Sequence, residues 1–106
     1  MKRLLAALTF CAFTTSALAE TAIDPARCAE IEQTASNTMM IRQKQIRTLS
    51  EMIARAEGEE PALAIFYRSM VIDAYAEPLY VSEEMQQVVM AEFATEQALK
   101  CYKSAK

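Results

Sequence analysis

Apolar residues recur every third or fourth position along most of this chain, and that period belongs to the helix. Cys28, Ile31, Ala35 and Met39 form a first stripe, opened by Asp24 and Pro25. An aspartate cap followed by proline at the first helical position is a strong start signal. Continued without a break, the stripe would take in Arg42, Ile46, Leu49, Ile53 and Ala56. A break is predicted near residues 45–48, because Thr48 and Glu51 have capping-box spacing. Gly58 is the expected C′ residue of the second helix. Pro61 opens a third helix over residues 62–76, and Pro78 closes it, since the residue before a proline avoids helical angles. Ser82, Glu83 and Glu84 supply a cap and negative charge for a last helix that runs to about residue 103, with Lys100 and Lys103 near its negative end.

The third helix is the most apolar. Leu63, Ile65, Phe66, Met70, Val71, Ile72, Ala74 and Tyr75 nearly encircle it, interrupted by Arg68, Ser69 and Asp73. Such a helix is central in a bundle or shared with a second copy of the chain, and central burial is the expectation. The last helix also carries apolar groups on two sides, Met90, Ala94 and Cys101 on one and Met85, Val89 and Phe93 turning towards another. Everything between the turns is helical, so the class is all-α.

The cysteines choose the topology. Residues 1–19 have the form of a signal peptide: Lys2 and Arg3, a short apolar run over residues 4–15, then small Ala17 and Ala19 around Leu18. Cys11 lies inside that run behind bulky Phe10, which does not suit lipid attachment. Cleavage after Ala19 leaves one helical domain, residues 20–106, with Cys28 and Cys101 as its cysteines. With no Cys-x-x-Cys and no histidine, a structural disulfide is expected, formed in an oxidising compartment. Bridged Cα atoms lie within about 7 Å. Three alternating helices would place the two cysteines at opposite ends. Four place them together, so the prediction is a small up-down-up-down four-helix bundle closed by one disulfide. The alternative is a long helical hairpin with its return arm kinked at Pro78.

The net charge is −3, and loss of Lys2 and Arg3 makes the remainder more acidic. That disfavours nucleic acid and anionic membrane as partners. Charge is uneven: Arg42, Lys44, Arg47 and Arg55 face only Glu51 within residues 37–55, whereas residues 57–96 are acidic with Arg68 as their one cation. The two segments are expected to face each other. Arg42 interrupts the first stripe, and Asp73 is a lone acid in the most apolar helix. They are predicted to form an ion pair inside the bundle. Tyr75 and Tyr80 flank Pro78, where they suit a wedge at the bend.

Chemistry is sparse. Without histidine there is no histidine-based triad or metal site. Glu59, Glu60, Glu83 and Glu84 stand at helix entries, where dipole compensation explains them. The chain has no Gly-rich phosphate loop. The methionines, including adjacent Met39 and Met40, fit core filling better than a Cu(I) site. No enzymatic activity, cofactor or metal is expected.

The run Met39, Met40, Ile41, Arg42, Gln43, the run Asp73, Ala74, Tyr75, Ala76, Glu77, Pro78, and Glu92 with Phe93 stand in order between Cys28 and Cys101. They resemble a family of small exported proteobacterial and phage-encoded proteins of unknown function. Its pattern is a leading cysteine, M-x-x-R-Q-x-G, A-Y-x-x-P, E-F and a closing cysteine. The resemblance implies a shared helical fold. Gln45 stands where the family has glycine. The expectation is a periplasmic or secreted helical module that binds another envelope or secreted protein, as an inhibitor, immunity factor or adaptor. It is not expected to insert in a membrane after cleavage. The alternative is a chaperone-like stress protein holding unfolded chains on Met-rich surface.

Overall fold

A computed structural model describes residues 23–105 of the chain. The leader expected over residues 1–19 lies outside them. A 3-10 turn, Pro25–Arg27, leads into α1 (Cys28–Gln43), followed by α2 (Leu49–Glu57), α3 (Pro61–Ala76) and α4 (Glu83–Ser104). The described residues contain no strand.

Most helix ends follow the local signals. Asp24 accepts a hydrogen bond from the Ala26 amide at 2.9 Å. Thr48 and Glu51 form the reciprocal capping box, at 3.1 and 2.8 Å, and so start α2 after a true break. Ser82 caps α4 by accepting from the Met85 amide at 3.1 Å. Gly58 differs from expectation. It has right-handed angles, φ −80°, so no left-handed turn is made there. The left-handed residue is Gln45, φ 57°. It closes α1 in a Schellman motif: the Ile46 amide reaches back to the Ile41 carbonyl at 3.0 Å, and the Gln45 amide to that of Arg42 at 3.1 Å.

The chain alternates in direction. α1 and α4 are antiparallel, tied at one end by the Cys28–Cys101 disulfide and at the other by Lys44 and Glu83, 2.6 Å apart. The bridged Cα atoms are 5.6 Å apart. α2 and α3 form a second antiparallel pair, joined by residues 58–60. α3 meets α1 through Arg27–Glu60 at its start and Arg42–Glu77 at its end. The fold is the four-helix bundle closed by one disulfide, not the long hairpin.

One apolar cluster joins the two pairs. Ile31, Met39 and Met70 are fully buried, with Phe93, Val89, Leu63 and Tyr67 around them. The disulfide is fully buried too. α3 is less central than its composition suggested. Leu63, Tyr67, Met70, Val71 and Ala74 face inwards, but Ile65 stays 61% exposed and Ile72 44%. α4 likewise buries one side and leaves Met85, Val88, Leu99 and Tyr102 outside.

Candidate functional site

The bundle has a disulfide pole and, at the other end, a loop pole made by residues 44–48 and 77–82. The loop pole is built by polar side chains on the inner stripe of α1. Arg42 donates from Nε and Nη2 to the Glu77 carbonyl, at 3.2 and 2.8 Å. Its guanidinium also lies over the Tyr75 ring, 5.3 Å from the centroid, a cation–π contact. Gln43, one step on, is buried. It donates to the Pro78 carbonyl and accepts from the Tyr80 amide, both at 2.9 Å. Gln86, from the first turns of α4, donates to the Tyr80 carbonyl at 2.8 Å. The loop between α3 and α4 therefore has its backbone groups at Glu77, Pro78 and Tyr80 held by side chains. The Tyr75 hydroxyl then donates to the Arg47 carbonyl at 2.7 Å and couples the two loops. Burial pushes the Tyr75 phenol up from its ordinary value, while the Arg42 charge works in the opposite direction.

The predicted Arg42–Asp73 ion pair does not exist. Arg42 is in the last turn of α1 and is spent on a loop carbonyl and an aromatic ring. Asp73 turns to α4, where it accepts from Lys100 Nζ at 2.6 Å and Gln97 Nε2 at 3.2 Å. Both members of the Asp73–Lys100 pair keep contact with water, with side chains 39% and 54% exposed. The register is the reason: Asp73 points one way round α3, towards Lys100, and Tyr75, two residues on, points the other, towards Arg42. The two runs that carry the family resemblance nevertheless meet, through Arg42–Tyr75, Arg42–Glu77 and Gln43–Pro78. The sequence does not single out Gln43 as a site residue; its one signal is an amide four residues after Met39 on the buried stripe of α1.

With their backbones fixed, these loops and the helix ends beside them hold aliphatic side chains out in water. Val81 is 100% exposed, Ile46 57%, Leu49 44% and Leu79 43%. Lys44 is engaged with Glu83, and that hydrogen bond holds the Glu83 carboxyl below the usual carboxylate range, helped by Gln87. The Arg47 side chain has no hydrogen-bond or ion-pair partner among the described residues.

A concavity of about 530 Å³ opens between α1 and the α2–α3 hairpin. Thr34, Asn37 and Ile41 line one wall, Met52 and Arg55 the other, and Tyr67 and Met70 the floor. Burial pushes the Tyr67 phenol up, with the facing Thr34 hydroxyl pulling it back. Met39, with Met70, belongs to the core, and adjacent Met40 turns to this cleft. Among the described residues, no three His, Cys, Asp or Glu side chains group as a metal site. No protein-family model, curated protein or solved structure matches the chain.

Proposed function

We propose that this chain is an exported, non-enzymatic helical module that binds another envelope or secreted protein, as an inhibitor, immunity factor or adaptor. The observation that carries the proposal is the loop pole. Ordering loops and side chains at an interface costs free energy when a partner binds. Here side-chain hydrogen bonds from Arg42, Gln43 and Gln86 hold the loop that presents Leu79 and Val81 before any partner arrives. A rigid apolar patch next to arginine and tyrosine has the make-up of an interface hot spot. The disulfide supports a periplasmic or extracellular home. No helix among the described residues is long and apolar enough to cross a membrane, in keeping with that home. The resemblance to exported helical proteins belongs to the same proposal.

The binding reading has more support than the chaperone one. A chaperone surface would use flexible methionines, but Met39, Met52 and Met70 are buried, Met40 and Met90 are partly buried, and of the methionines among the described residues Met85 alone is exposed. The test is capture of partners from envelope and extracellular fractions by the oxidised protein. One partner in near-stoichiometric amount is expected, lost in Ile46→Asp and in Val81→Asp while both variants melt with the parent. Equal capture by those variants overturns the proposal. So does slowed aggregation of unrelated unfolded proteins with no single partner retained.

A further inference from the structure

We infer that the small pocket at the loop pole receives a carboxylate side chain of the partner, flanked on the partner by apolar residues. The inference rests on the protein-binding reading and names the chemistry of its contact point. The pocket encloses about 260 Å³ between Arg42, Arg47, Ile46, Glu51 and Tyr75. That space holds one side chain and a few waters, at about 30 Å³ per water in the liquid.

Its walls favour an anion. Two of the donor groups of Arg42, Nε and Nη2, are taken by the Glu77 carbonyl, which with the Tyr75 ring fixes the guanidinium plane. No acceptor among the described residues meets Nη1. Arg47 carries a second guanidinium with no partner among those residues, and its backbone is anchored through the Tyr75 hydroxyl. The acid on the wall, Glu51, is committed to the capping box through the Thr48 amide. Two cations against one engaged anion leave the pocket positive, within a chain whose net charge is −3. A local positive spot on an acidic protein suits a discrete carboxylate better than a polyanion, which the rest of the surface repels. The fixed Arg42 guanidinium offers Nη1 to one carboxylate oxygen with little further ordering, and Arg47 can donate to the other. Ile46, on the pocket wall, is 57% exposed, so the acid should come with aliphatic neighbours.

The test is an amide-resolved NMR titration of the oxidised protein with the capped peptide acetyl-Ala-Leu-Glu-Leu-Ala-amide. Saturable shifts are expected at Gln45, Ile46, Arg47 and the Arg42 Nε–H. The counterpart with glutamine in place of glutamate should not produce them. Arg47→Gln should weaken the peptide about tenfold, the loss of one charge-assisted hydrogen bond. This variant keeps the backbone carbonyl that Tyr75 uses, so it should fold. The same shifts with the glutamine peptide, or with inorganic phosphate at equal concentration, overturn the inference, as does unchanged affinity in Arg47→Gln. In the capture assay, loss of the partner in Val81→Asp with full retention in Arg47→Gln overturns the pocket alone. Retention in both overturns the protein-binding reading with it.

Discussion

Gln45 and Asp73 show what single residues do here. Gln45 holds φ 57°, a left-handed conformation that side chains with a Cβ resist and glycine accepts. Gln45→Gly should therefore raise stability by about 1 kcal/mol, read as a melting point several degrees higher. Asp73 leads to a different expectation from the buried pair predicted for it. Its contact with Lys100 is solvent-accessible, and such pairs contribute at most about 1 kcal/mol. Asp73→Asn should thus lower the denaturation free energy by less than about 1 kcal/mol; a larger loss in guanidinium titration would show the pair to be desolvated. The sequence marked Arg42 and Asp73 as out of place on apolar faces, and both are engaged in the fold. It did not reveal their partners. A backbone carbonyl thirty-five positions away, as Arg42 finds at Glu77, leaves no trace in periodicity or charge.

Among the elements, the helix starts are legible locally. The proline and hydroxyl signals at Pro25, Thr48, Pro61 and Ser82 act within a few residues, and the helices start beside them. The exception was Gly58, whose right-handed angles need no glycine. How the elements lock together was less legible, because the lock consists of glutamines. Gln43 satisfies two backbone groups of the loop between α3 and α4. Gln43→Leu would leave the Pro78 carbonyl and Tyr80 amide without those bonds and should cost about 2–6 kcal/mol, at about 1–3 kcal/mol per orphaned group. Hydrogen exchange should accelerate first at Tyr80, ahead of the helices. The Lys44–Glu83 contact fastens α1 to the start of α4 more gently. Because the folded carboxyl is held low, its contribution is complete above the ordinary carboxylate range and is lost as pH falls through the lowered value. In Lys44→Gln the Glu83 titration, followed by carbon NMR, should move up towards the ordinary range.

At the scale of the whole molecule, the disulfide is the largest single constraint. It joins residues 73 positions apart and lies wholly inside the protein. In the chain-entropy model a link of that span contributes roughly 4 kcal/mol. The Cys28→Ser, Cys101→Ser double variant should lose about that much in denaturant titration, or fail to fold. Because the bridge is buried, mild reductants should open it only as fast as the native protein unfolds. The pairing and the number of helices followed from one another in the sequence, through the requirement that both cysteines reach the same end. The loop pole could not be foreseen in that way. It depends on where four helix ends meet, and on apolar residues staying outside a core they could have joined.

That the cysteine bridge joins the beginning of α1 to the end of α4 also determines how the molecule can be mounted. Ile23 and Ala105 both leave from the bridged end. α4, with 22 residues, carries the opposite end about 33 Å away. A fusion domain, bead or surface tether attached at either terminus would hold the bundle upright like a post, with Val81 and Ile46 at its free tip.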